Sequence, residues 1–99
     1  MSLSPEDRQY LLNLARDAIA SQSRGEDPPP VDLDALPKSL SRDGASFVTL
    51  TKHGALRGCI GSLEPRRALV LDVRDNAVAA AFRDPRFSPV RPGELDDLH

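Results

Sequence analysis

Apolar residues recur along the first stretch of the chain with the step of a helix. Leu11, Leu14, Ala15, Ala18 and Ile19 stand at offsets 0, 3, 4, 7 and 8, which gathers them on one face. Ser4-Pro5-Glu6-Asp7 supplies a start: a hydroxyl to cap, a proline suited to the first helical position, and two acids where the helix dipole favours negative charge. Arg24-Gly25 supplies a stop. The pattern then dissolves. Residues 26–44 carry three successive prolines, Pro28 to Pro30, followed by Leu33, Leu36, Pro37 and Leu40, and read as an extended surface strap whose leucines touch the core.

From Ala45 the period changes to that of strands. Ala45 to Lys52 and Ala55 to Ser62 are two runs rich in strand formers, separated by His53-Gly54, and predict a β-hairpin. With a two-residue turn, Lys52 faces Ala55, Leu50 faces Arg57 and Val48 faces Cys59. Phe47, Leu56 and Ile60 then share the core side, and Arg57 and Cys59 project together from the other. A one-residue slip would change every facing. Helical spacing returns from Arg66, with Leu69, Val73, Ala77, Ala80 and Ala81, and Asp84-Pro85 ends it. Arg86 to Gly93 is irregular, and Glu94 to His99 closes the chain. The fold class is therefore α+β: an N-terminal helix, a long Pro-rich connector, a β-hairpin, and a second helix packed on a sheet that is incomplete.

Composition narrows the classes. Ninety-nine residues make one small domain. A single cysteine excludes an internal disulfide, and no apolar run approaches the length of a membrane span. The acidic N-terminus has no apolar signal region, so a cytoplasmic location is expected. A net charge of −2 makes nucleic acid an improbable partner. One cysteine and two distant histidines give no zinc spacing, and no phosphate-binding loop is present, so neither metal nor cofactor is expected.

Two places offer chemistry. Cys59 has Arg57 two positions away and Gly58 and Gly61 around it; a guanidinium favours a thiolate, and strand glycines mark a bulge or a close approach. The plainer reading makes Cys59 a small buried hydrophobe. His53, at the turn, lies about 20 Å along the strand from Cys59 and cannot act as its base. The second place is Arg83-Asp84-Pro85-Arg86-Phe87. There Asp84 and Arg86 are either polar groups of a cleft or a local backbone cap and its paired cation. Arg66-Arg67 and Asp72/Asp75 read as a solvated helix face.

Leu56-Arg57-Gly58-Cys59-Ile60-Gly61-Ser62, with Phe47-Val48-Thr49-Leu50 before it and Ala79 to Val90 after it, closely resembles the AMMECR domain family, called AmmeMemoRadiSam system protein A in bacteria. The resemblance covers the chain from the first helix to Glu94-Leu95 and implies that residues 1–99 correspond to about the first half of a family domain. It implies a cleft near the Arg-Gly-Cys-Ile-Gly run, with Cys59 and Arg57 as catalytic candidates and Gly58, Gly61, Asp84 and Arg86 as substrate-binding candidates. It names no reaction. The implied role is a component of a system with Memo-type and radical-SAM proteins. The alternative is a non-catalytic adaptor that binds a protein partner through the cleft or an open sheet edge, an edge that would also permit self-association.

Overall fold

The computed structural model describes residues 3–99. Helix α1 (Pro5–Ser23) begins as expected: Ser4 Oγ accepts from the Asp7 amide at 3.0 Å, the Asp7 carboxylate accepts from the Ser4 amide, and Pro5 stands in the first turn. It ends at Arg24, and Gly25 leaves in the left-handed region at φ 72°. Leu11, Leu14, Ala18 and Ile19 are its buried face.

The connector is more ordered than an extended strap. A 3-10 turn at Leu33–Ala35 and a one-turn helix α2 (Lys38–Ser41) interrupt it, followed by a two-residue strand β1 (Asp43–Gly44). Leu40 is buried in a cluster with Leu11, Leu14, Val70 and Val73, whereas Leu33 stays exposed. Side-chain hydrogen bonds local to the backbone, such as Asp32 Oδ1 accepting from the Asp34 amide at 3.0 Å, supply turns that an apolar period does not register.

Strands β2 (Phe47–Lys52) and β3 (Ala55–Gly61) form the hairpin, antiparallel and closed by His53 (φ 52°) and Gly54 (φ 81°). Two positive φ values in succession give a turn whose twist suits a two-residue hairpin. Lys52 faces Ala55 as expected, but the register then shifts: Thr51 faces Leu56, and Leu50 faces Gly58. Arg57 is the extra residue of a β-bulge. The expected pairs Leu50/Arg57 and Val48/Cys59 are therefore replaced by Leu50/Gly58, Thr49/Cys59 and Val48/Ile60. The inward set also changes. Leu50 is buried, with Val48 and Ile60 packed beside it, while Phe47 is 64% exposed and Leu56 is exposed too.

Strand β4 (Arg67–Ala68) pairs with β1, so Arg66 and Arg67 precede the second long helix, α3 (Leu69–Phe82). Val70, Val73, Ala77, Val78, Ala80 and Ala81 are buried, and α3 lies between α1 and the hairpin. Its approach is close. A Cβ at Gly58 would collide with the carbonyl oxygen of Ala80, so only glycine lets the strand pass there. A Cβ at Gly61 would meet the Phe47 ring, which covers it from across the hairpin. A 3-10 turn at Pro92–Asp97 closes the chain, and Leu98 enters the core. The accessible surface is 6157 Å², about 600 Å² above the size scaling for this mass. That excess accords with a hairpin covered by a helix on one face alone.

Candidate functional site

The chain leaves α3 at Arg83 and turns at once, because Pro85 keeps Asp84 out of the helical region. Asp84 is buried and becomes the hub of the loop. Its Oδ2 accepts the backbone N–H of Cys59 at 3.0 Å and Arg86 Nη2 at 2.8 Å; its Oδ1 accepts the Arg86 amide at 3.0 Å and Arg86 Nε at 3.1 Å. The paired guanidinium and the two backbone donors hold the Asp84 carboxyl well below the usual carboxylate range. The same pairing raises Arg86. Arg86 is not consumed by this contact. Its side chain remains 56% exposed, and its guanidinium carbon sits 5.4 Å from the centroid of the Phe87 ring.

Cys59 is half-buried, opposite Thr49, with Sγ and Thr49 Oγ1 3.4 Å apart. The hairpin face that carries Thr49 and Cys59 points away from α3, since Gly58 and Leu50 on the reverse face meet the helix and the core. The thiol is thus on the uncovered side, beside the Asp84–Arg86 loop.

Arg57 goes elsewhere. Its Nε and Nη2 donate to Glu94 Oε1 and Oε2 at 3.1 and 3.2 Å, and Nη1 donates to the Ser88 carbonyl at 2.8 Å. Lys52 Nζ and the Arg91 amide complete the shell around Glu94, at 3.0 and 2.7 Å. These donors push the Glu94 carboxyl down to about 2. With 13% of its side chain exposed, Arg57 is a brace that ties residues 88–94 to the hairpin. The expectation that Arg57 accompanies the thiol rests on strict alternation, and the bulge at Arg57 suspends alternation at that residue.

Of the residues singled out by sequence, the structure brings Cys59, Asp84 and Arg86 together; Gly58 and Gly61 lie in the same strand with their Cα hydrogens turned to Ala80 and Phe47. Thr49 and Glu94 were missed. The Glu94 brace has a readable sign, a carboxylate three residues after Arg91 that accepts its amide.

A second polar cluster also departs from expectation. Asp72 is not on a solvated face but 2% exposed. Its carboxylate accepts the Ser46 amide and hydroxyl at 2.8 and 2.7 Å, the Ser62 hydroxyl at 2.7 Å, and Arg67 Nε at 2.9 Å. Asn76 joins it at 3.1 Å and donates to the Ser46 carbonyl at 3.2 Å. Ser46 and Ser62 bracket the open end of the hairpin, so this cluster latches that end to α3. Burial opposes the charge of Asp72, and the hydrogen bonds outweigh it, leaving its carboxyl lowered.

His53 Nε2 lies 3.7 Å from Asp97, and the His99 backbone pairs with Thr51; among the described residues Cys59 Sγ has one side-chain hydrogen-bonding partner, Thr49. Among the described residues no cluster of three metal-ligating side chains occurs, and no helix is long and apolar enough to cross a membrane.

Comparison with known proteins places this arrangement. The AMMECR1 family model matches residues 12–99. A Methanothermobacter thermautotrophicus protein is 43% identical over 96 residues, covering 97% of this chain and 50% of its own length. One from Thermotoga maritima is 53% identical over 68 residues, 66% of this chain and 39% of that protein. The crystal structure of the uncharacterised Pyrococcus horikoshii protein PH0010 superposes with a TM-score of 0.78 at 38% identity, covering 90% of this chain and 46% of that one. The chain spans about half the length of the curated relatives it matches.

Proposed function

The chain belongs to the AMMECR1 family, and from that premise we propose that the uncovered hairpin face is an anion-directed thiol site. Arg86 holds the negative charge of a ligand, Cys59 presents the thiol to it, and Asp84 is the positioning residue that aims both. One observation carries the reading. A single buried carboxylate binds the exposed Arg86 guanidinium and the Cys59 backbone N–H through the same oxygen, so cation and thiol-bearing strand are set relative to one another. Arg57, braced on Glu94, shapes the loop and does not touch the ligand. The Memo-type and radical-SAM association implied by the family resemblance belongs to this reading as the setting in which the ligand is met.

Thiol modification tests it. A dianionic aromatic disulfide and a neutral alkylating reagent are compared on the native chain and on Arg86→Gln. The ratio of the two rates is expected to fall several-fold in the variant, since only the charged reagent gains from the guanidinium. An unchanged ratio, with Cys59 equally accessible in both, rules the site out.

The adaptor reading draws on a separate observation. Phe47, Leu56 and Leu63 are exposed large apolar residues on and beside the hairpin. Partner capture that persists in Cys59→Ser and Arg86→Gln but is lost in Phe47→Ser would favour it.

A further inference from the structure

The hairpin presses a hydroxyl against the Cys59 thiol. The Cys59 N–H leaves the ladder for Asp84 Oδ2, while the Ser62 N–H, three residues on, bonds the Ser46 carbonyl across the strands. Thr49 and Cys59 are therefore a pair whose backbones do not bond one another. In such a pair the Cα atoms approach to about 4.5 Å and the side chains lie closest. Thr49 Oγ1 and Cys59 Sγ are 3.4 Å apart.

The bulge at Arg57 decides which residue takes this place. Without the extra residue Cys59 would face Val48, whose side chain has nothing to donate; with it, Cys59 faces Thr49. The threonine side chain is branched at Cβ and stiff about χ1, so its hydroxyl keeps its aim. Among the described residues no other hydrogen bond is made by Thr49 Oγ1 at this contact. While the sulfur is protonated either atom can donate. A thiolate only accepts, so the hydroxyl then donates to it, and a hydrogen bond to the charged form is the stronger one.

We propose that Thr49 donates to Cys59 and sustains it as a thiolate, and that the ligand this site takes is a disulfide bearing negative charge. The inference rests on the thiol-site reading and gives it a substrate class. Arg86 and Thr49 supply charge and a hydrogen bond, but a guanidinium and an aliphatic hydroxyl exchange no proton near neutral pH. An alkyl ester or an amide needs a proton for its leaving group. A disulfide does not. Cys59 Sγ forms a bond to one ligand sulfur as the ligand S–S bond breaks, and the other sulfur leaves with the electron pair as a thiolate. Cys59 is oxidised to a mixed disulfide, the departing half of the ligand is reduced, and no proton moves.

A rate profile against pH tests it. Exchange with the dianionic aromatic disulfide is followed from about pH 6 to about pH 10 for the native chain, Thr49→Val and Thr49→Ser. Valine matches threonine in shape and suits a strand, so the fold is kept. Loss of the hydroxyl leaves less thiolate, but the thiolate that remains is the stronger nucleophile. Thr49→Val is therefore expected to react about threefold slower near pH 6 and about threefold faster near pH 10, so that its profile crosses the native one. Thr49→Ser should keep the native profile. Profiles that stay parallel or coincide overturn the role of Thr49, because a packing effect changes the rate in the same sense at every pH. In a second arm a charge-matched alkyl ester should leave Cys59 unmodified by mass spectrometry; acylation as fast as the exchange overturns the disulfide assignment. The crossing is read with one reagent, so it fails separately from the charged-to-neutral ratio in Arg86→Gln, whose constancy would remove the site itself.

Discussion

Two buried carboxylates, one at each end of α3, do the same mechanical work in different ways. Asp72, in the first turn, latches the open end of the hairpin through Ser46 and Ser62; Asp84, just past the last turn, latches its middle through the Cys59 amide. The Asp72 cluster is closed: Arg67, its cation, also bonds Asp75 and reaches Asn76. The Asp84 cluster is open, because among the described residues Arg86 bonds no other acid, and more than half its side chain meets solvent beside the strand that carries the thiol. A latch whose cation is shared among three side chains serves chiefly stability. One whose cation has donors to spare can also receive a ligand.

The largest effect should come from Asp72→Ala. Removing the acceptor strands the Ser46 amide, two hydroxyls and Arg67 at once, a loss of about 3 kcal/mol in chemical denaturation. A loss below about 1 kcal/mol would mean water replaces the carboxylate and the cluster is not closed. Next is Gly58→Ala, which tests whether packing, not either latch, fixes the middle of the hairpin. The added methyl meets the Ala80 carbonyl, backbone that cannot swing aside, and should cost about 2 kcal/mol with α3 displaced.

Acid separates the third carboxylate, Glu94, from both latches. Its carboxyl is lower folded, at about 2, than its ordinary value of 4.5. The stability it contributes is present above about 4.5 and is lost as pH falls through about 2. The midpoint of thermal unfolding should therefore be higher for the native chain than for Glu94→Gln at pH 6, and the gap should close by pH 2. A gap that persists at pH 2 would show that the brace works through shape and not charge. The smallest effect on stability is expected for Arg86→Gln. Removing its guanidinium leaves the buried Asp84 carboxylate with its two backbone donors, so the denaturation midpoint falls, by less than for Asp72→Ala, while the charged-to-neutral thiol reagent ratio falls as well. A midpoint shift as large as that of Asp72→Ala would make the Asp84 cluster a closed latch as well.

How much of this could be read from the chain depends on whether a signal is local. Helix α1 was readable with its cap, its proline and its apolar face, because each lies within a few residues of the others. The hairpin and its His53-Gly54 turn were readable for the same reason. The candidate site was readable only as names: Cys59, Asp84 and Arg86 stood out, but Arg57 was given the place beside the thiol that Arg86 occupies. That exchange has one cause, a single extra residue in β3 opposite the Leu50/Thr51 step. The same bulge turns Ile60 to the side of Val48 and Leu50, where the core forms, and leaves Phe47 and Leu56 outside it. Asp72 looked like one charge among several on a polar helix face, since Ser46 and Ser62, which bury it, are 26 and 10 residues away.

By itself, then, the sequence determined the kinds and order of the elements and set aside the residues with chemical potential, because helical period, capping and turn geometry are short-range properties of the backbone. Tertiary structure decided which cation stands beside the thiol and which carboxylate is sealed. Those outcomes depend on register and on partners distant in the chain, and one unpaired residue in a ladder alters them without leaving any mark on local hydrophobic pattern.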